Sequence, residues 1–210
     1  MIKTEILQTA KPILFSGEMV RAILVGNKTQ TRRVIKPKYS NTVFEMRTDK
    51  YGTRLIEIEE KTPPVDNGNG TMRHKVRMAI DVAQRFKRGD LLYVRETWVE
   101  AEDYYFYKAD STQKMLEMLN EDEHKWRPSI HMPKQAARLF LRVTDVRVER
   151  LQDITVDDAL SEGITFVSSP QHAVDQYVEL WNNLNAKRGY SWDTNPWVWV
   201  YTFERVVSTE

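Results

Sequence analysis

The chain has no cysteine. Disulfides, thiolate nucleophiles and Cys-based zinc or iron–sulfur sites are therefore excluded. Histidine is scarce: His74, His124, His131 and His172 stand alone, with no His-x-x-x-His pair. No metal and no cofactor is expected. Long apolar runs are missing, since no stretch approaches the ~20 apolar residues that span a bilayer. Met1 to Gln8 lack the charged start and apolar run of a signal peptide. The sequence therefore predicts a cytoplasmic protein with no membrane partner. Charge of one sign is lacking as well. Lys+Arg number 31 against 30 Asp+Glu, a formal net charge of +1, so the whole-molecule field selects no partner. No internal repeat at a period of about 20–50 residues is visible.

What is present suits one globular domain over 210 residues. The composition is 41% hydrophobic, with six Trp, nine Tyr and seven Phe to build a core. A helix is predicted from about Gly17 to Val25. Ser16 is its N-cap, Phe15 and Val20 form a hydrophobic staple, and Gly26 takes the C′ position. The polar turn Asn27 to Arg33 then leads to a strand. A hairpin pairs Val43–Met46 with Leu55–Ile58 across Asp49–Gly52. Thr62 to Thr71 reads as a loop. Lys87–Asp90 is a turn feeding the strand Leu91–Arg95. Leu139 to Val148 is a long strand whose apolar parity changes near Thr144-Asp145, which predicts a bulge. Thr155 caps a short helix ended by Gly163. A second helix carries Val174, Tyr177, Val178, Trp181 and Leu184. The last strand, Trp197 to Phe203, is apolar on both faces and so is expected to be central. The stretch 102–135 interrupts two strong strand signals and reads as an insertion. Its parts are a Tyr-rich piece, an acidic helical piece and Trp126 to Pro133. The whole favours a barrel-like α+β domain.

One charge pattern stands out. Residues 19 to 44 hold Arg21, Lys28, Arg32, Arg33, Lys36 and Lys38 and no acid. A cationic turn beside a sheet suits a phosphate or an anionic transition state, and equally suits a solvated face paired with acids from elsewhere. Within it, Lys28 lies close to a threonine hydroxyl. Such a pair can serve as base and nucleophile if burial or cationic neighbours lower the lysine pKa. An ordinary turn with Lys28 in water is the plain alternative.

Gly26-x-Lys28-x-x-x-x-Arg33 resembles the G-x-K-x-x-x-x-R signature of the ASCH family. Further elements follow in that family's order. They are Lys87-Arg88-Gly89-Asp90 with its strand to Val94, Val143-Thr144-Asp145-Val146, the helix around Asp157-Ala159-Glu162-Gly163, and Trp197 to Phe203. The likeness covers most of one domain, 1–210, except about 40–70 and 102–135. The chain is most similar to the longer ASCH proteins encoded by phages and prophages, where a segment like Arg127–Pro133 recurs. The resemblance implies a PUA-like mixed β-barrel with flanking helices and an insertion, acting on RNA or a modified nucleoside. Small ASCH amidohydrolases deacetylate N4-acetylcytidine with a Lys, a Thr three residues later and a Glu in the helix after the barrel strand. The matching positions are Lys28, Thr31 and Glu162, with Glu149, Asp157 and Asp158 as rivals for the last. Glu162 sits in the last turn of its helix, where the dipole disfavours an acid.

Arg32 and Arg33 are candidate substrate contacts, although a structural ion pair is the role expected first of a strand arginine such as Arg33. Glu96 and Trp98 form a second candidate patch: a carboxylate accepts from an exocyclic amine, and an exposed indole stacks on a base. A buried Trp98 would be core. His131, between Pro128 and Pro133, lies in a rigid loop of a kind that carries function. Tyr104, Tyr105 and Tyr107 suit either stacking or strand packing, and Trp192, Trp197 and Trp199 are assigned to the core. Three functions are consistent with these features: an amidohydrolase of an N4-acylated cytidine, a non-catalytic reader of RNA or a modified base, and a phage-encoded interaction factor docking through the insertion. The oligomeric state is not encoded in them.

Overall fold

The computed structural model describes residues 8–39, 42–50, 52–59, 65–66, 68–69, 72–73, 78–101, 104–112, 114–115, 125–165 and 169–206. In chain order the elements are β1 (Lys11–Leu14), α1 (Gly17–Leu24), β2 (Gln30–Val34), β3 (Thr42–Asp49), β4 (Gly52–Glu59), β5 (Val65–Asp66), β6 (Met72–Arg73) and β7 (Met78–Asp81). Beyond these come β8 (Leu91–Arg95), β9 (Trp98–Ala101), β10 (Tyr104–Tyr107), β11 (Phe140–Arg150), α2 (Val156–Ser161), α3 (Pro170–Asn185) and β12 (Trp197–Val206). The architecture is mixed α+β. Its centre is a five-stranded sheet in the order β1-β8-β11-β12-β2, with β1 parallel to β8 and the other pairs antiparallel. Smaller sheets, β3-β4-β7, β9-β10 and β5-β6, surround it.

Backbone pairing among the described residues does not close this sheet into a barrel; β1 and β2 are its edges. Side chains bring the two edges together instead. Arg33 on β2 donates from Nη2 to the Leu14 carbonyl at 2.7 Å, and its guanidinium stacks on Phe15 with 5.3 Å to the ring centroid. Residues from both edges share one core cluster, which holds Ile13 and Phe15 beside Ile35, Trp199, Tyr201 and Phe203. The opposite face packs on the helices: Val198 and Val200 meet Ala159, Ala173, Tyr177 and Trp181. This two-sided burial explains why β12 reads as apolar on both faces, and it lies between β11 and β2 as expected of a central strand.

The local signals act as their chemistry dictates. Ser16 accepts from the Met19 N–H, and Gly26 has φ +85°. The β3–β4 hairpin turns between Asp49 and Gly52. The β11–β12 register shifts between Val143 and Asp145, where the apolar parity of the sequence changes. Several strands carry no expectation from the sequence, β1 and β7 among them. β1 is four residues containing a proline, tolerable because an edge strand has no partner for the missing N–H. Among the described residues β7 pairs with β4 alone.

In the insertion, β9 and β10 form a hairpin; Tyr105 and Tyr107 pack on a core cluster, while Tyr104 is 70% exposed. The acidic helical piece (116–124) lies outside the described residues. So does most of the Thr62 to Thr71 loop, of which Val65–Asp66 pairs with Met72–Arg73. Of the tryptophans assigned to the core, Trp199 is buried, and Trp192 and Trp197 are half-buried at the edges of core clusters.

Helix α2 bears most directly on the lysine turn, because it delivers Glu162. Thr155 accepts from the Asp158 N–H and Asp158 reciprocates to the Thr155 N–H, a complete capping box. Thr155→Ala should lower stability by about 1 kcal/mol, read as a shifted urea midpoint with an unchanged slope.

Candidate functional site

The turn after α1 ends with Asn27 N and Lys28 N both donating to the Ala22 carbonyl, at 2.8 and 3.1 Å. Thr29 then donates to Ser161 O and accepts from Phe203 N, each at 2.8 Å, so the chain is stitched between the end of α2 and β12. This fixes the Lys28 side chain in the interior, where it is 1% exposed. Its ammonium has three protons, and each meets an acceptor: Gln30 O at 2.7 Å, Glu162 O at 2.8 Å and Glu162 Oε2 at 2.7 Å. Glu162 is the C-cap of α2, so its carbonyl is one of the orphan acceptors of a helix end. Lys28 thus satisfies the helix terminus and neutralises the carboxylate beside it. An acid at a helix C-terminus is unfavourable alone; here the cation compensates it. Burial lowers the Lys28 pKa below the ordinary lysine value; Glu162 opposes the shift, and Arg33 and Arg32 add to it.

Gly163 makes this geometry possible. Its φ is +95°, and a Cβ there would stand 3.0 Å from Ala22 Cβ and 3.1 Å from Lys28 Cβ. Both the backbone conformation and the close approach require glycine.

Arg32 lies on the helix-facing side of β2. Its guanidinium meets Glu149 Oε1 at 2.6 Å, Asp158 Oδ2 at 2.9 Å and Glu162 Oε1 at 3.3 Å, and sits 5.9 Å from the Tyr177 ring centroid. Arg147 joins Glu149 and Asp158 at 3.0 and 2.8 Å, and Gln30 bridges Arg147 to Asp158. Three cations therefore face three carboxylates. Arg32, placed by the sequence as a substrate contact, has a fully buried side chain saturated by acids. It holds Glu162 rather than a ligand. Glu149 and Asp158, rivals for the Glu162 position, belong to the same network, whereas Asp157 is exposed.

Thr31 and Arg33 face the other side of β2, as alternation requires. Thr31 pairs with Tyr201 and Arg33 with Trp199, both interior residues. Thr31 is 2% exposed, and among the described residues its hydroxyl makes no hydrogen bond. The Phe15 ring stands between the two cations, 5.6 Å from Lys28 Nζ and 5.3 Å from the Arg33 guanidinium.

The second patch assembles differently. Glu96 is fully buried and takes two hydrogen bonds from Arg138, which also holds Asp110 and stacks on Tyr107. Burial raises the Glu96 pKa, with Arg138 opposing. Trp98 is 2% exposed and packs in the core, so it presents no ring to a base. His131 is exposed in a short 3-10 turn that Arg95 clips by donating to the Ile130 and Met132 carbonyls. None of the three bonds to Lys28, Thr31 or Glu162. Arg138 and Arg95 carry no sequence signal, because their partners lie far away in the chain.

Two grooves border the lysine turn from outside. One, about 570 Å³, runs between α1 and α3 and includes Glu162 and Gly163; the other, about 450 Å³, is lined by Gly26, Asn27, Thr29 and Ser161. Among the described residues no group of acids and histidines is arranged to hold a metal ion, and no helix is long and apolar enough to cross a membrane. Compared with family models, curated proteins and solved structures, the chain matches none.

Two substitutions test this geometry. Gly163→Ala should destabilise by roughly 1–3 kcal/mol, since it strains φ and pushes on Lys28; thermal melts and loss of amide-exchange protection in α2 would register it. For Asp158, burial acts to raise the carboxyl pKa. The Gln30 hydrogen bond, Arg32, the Thr155 N–H and Arg147 outweigh it and bring the pKa to about 2. Its contribution is complete above the ordinary value of 3.8 and disappears as pH falls through about 2. Asp158→Asn should flatten the fall in stability over that window.

Proposed function

We propose that this protein hydrolyses the amide of an N4-acylated cytidine or a related modified base, as an ASCH-type enzyme on a PUA-like barrel. The observation that carries the reading is the buried contact of Lys28 with Glu162, residues 134 apart in sequence, with the buried Thr31 following three residues after Lys28 on β2. A solvated turn would not require a lysine stripped of water. The Arg33 bridge between β1 and β2 supports the barrel: it draws the two open edges together as a closed wall would.

In this reading Thr31, or a water it positions, attacks the acyl carbonyl. Lys28 passes its proton to Glu162 and becomes the base that accepts the proton of the nucleophile. Glu162 protonates the departing exocyclic amine, and water returns the acyl group as a carboxylic acid. Lys28 and Thr31 are almost fully enclosed, and Glu162, the partner of Lys28, lines the groove between α1 and α3. A second reading, a non-catalytic binder of RNA or a modified base, is favoured by one fact: all three Lys28 protons already have acceptors in the resting structure.

The test is release of cytidine from N4-acetylcytidine, followed by chromatography. Thr31→Val preserves shape and should fold; Glu162→Gln keeps an acceptor oxygen but removes the buried counter-charge of Lys28, so its thermal melt is measured beside its activity. Each should lower kcat by about a hundredfold or more. No release by folded wild type, with saturable binding of the same nucleoside, would establish the binder instead.

A further inference from the structure

The open edge of β1 carries a feature that the reaction does not explain. Phe15 N donates to Arg95 O, and Ile13 pairs with Val94 in the parallel register. Backbone groups alternate sides along a strand, so Ile13 and Phe15 address β8 while the Pro12 and Leu14 carbonyls face outward. Each outward carbonyl is held by a guanidinium. Arg85 Nη2 donates to Pro12 O at 3.3 Å, and Arg33 Nη2 donates to Leu14 O at 2.7 Å. Carbonyls two residues apart lie about 6.5 Å from each other, so the two cations stand side by side.

Among the described residues neither has a carboxylate partner. The contrast within the molecule is sharp: Arg32 meets three carboxylates, and Arg138 and Arg147 meet two each. A guanidinium has five N–H donors. Arg33 and Arg85 each donate one to these carbonyls, and none of their nitrogens is an enclosed atom lacking a partner. The remaining donors are open. Burial, and then the neighbouring Arg85 charge, both act to lower the Arg33 pKa against the pull of Glu162. Two adjacent like charges with open donors call for an anion, and the planar forks fit phosphate oxygens. Thr31 lies on the same strand face, two residues from Arg33.

We infer that Arg33 and Arg85 bind the phosphate of the substrate, so that the ligand class is an N4-acylated cytidine nucleotide rather than the neutral nucleoside. This rests on the hydrolase reading for the base, but not for the phosphate. Arg33 anchors from inside the wall and Arg85 from its rim. Occupied by phosphate, the pair is neutralised at the seam between β1 and β2.

The test is calorimetric titration of wild type, Arg85→Gln and Arg142→Gln with cytidine, cytidine 5′-monophosphate and inorganic phosphate. Arg85 is exposed, so its replacement should not disturb folding. Arg142, half-exposed and loosely paired with Glu204, is the charge-matched control. The monophosphate should bind wild type about tenfold tighter than cytidine. Inorganic phosphate should compete with it, and Arg85→Gln alone should abolish the difference. Equal binding of cytidine and its monophosphate would overturn the proposal, as would equal losses in the two variants. Tight, salt-sensitive binding of a short RNA with no preference for the monophosphate would also overturn it, assigning the arginines to a polymer backbone. These readouts need no turnover. Phosphate-dependent binding without amide hydrolysis sinks the enzyme and keeps the site. Hydrolysis with no advantage from the phosphate does the reverse.

Discussion

The burial of Lys28 against Glu162 is the constraint on which the surrounding structure depends. An ammonium taken wholly out of water costs several kcal/mol unless every proton finds an acceptor. Here two carbonyls and one carboxylate oxygen supply them. One of those carbonyls terminates α2, so the helix cannot shift along the sheet without stranding the charge. The turn before Lys28 and the glycine after Glu162 answer the same requirement. Asn27 and Lys28 must fold back on Ala22, and residue 163 must carry no Cβ because Ala22 and Lys28 occupy that space. Arg32, itself held by Glu149 and Asp158, then keeps Glu162 from turning toward water.

Much of this was legible in the sequence where the cause is local. Ser16 and Thr155 as caps, Gly26 and Gly163 as helix ends, and the parity break before Asp145 are contacts over one turn or one strand. The pairing of Lys28 with Glu162 was legible only through the order of motifs resembling a family, since nothing local links residues so far apart. Arg32 shows the limit. A basic residue next to a threonine on a strand looks like a ligand contact. Its side of β2 is set by register with β12, and the acids that absorb its charge arrive from β11 and α2. The edge strand β1 is not legible, because four residues with a proline give no periodicity. Trp98 and His131 show the same limit from the other side: exposure is a tertiary property, and one is core while the other is surface.

Alternation along β2 sorts the basic run into two environments. Gln30 and Arg32 turn toward the helices, where charge is balanced by three carboxylates. Thr31 and Arg33 turn inward, where Phe15, Trp199 and Tyr201 offer aromatic surface and no acid. A one-residue slip of β2 would exchange the two sets and bury Arg32 without counter-charge. The ion network thus fixes register as well as helix position, and it leaves the inward arginine with no carboxylate in contact among the described residues.

The choice of cation at each position is consistent with this division. Arginine keeps its charge under any condition the fold meets, and its planar fork spans several carboxylates at once. That suits position 32, where a permanent positive centre holds Glu149, Asp158 and Glu162 together. Lysine is compact, and burial moves its pKa toward the neutral form. That suits position 28, where the three acceptors converge on a single nitrogen. Within this network of described residues, Lys28 is the cation that can yield a proton, and the carboxylate at 2.7 Å is positioned to receive it. An arginine there would carry the same charge on a planar fork, which cannot bring one nitrogen to all three acceptors.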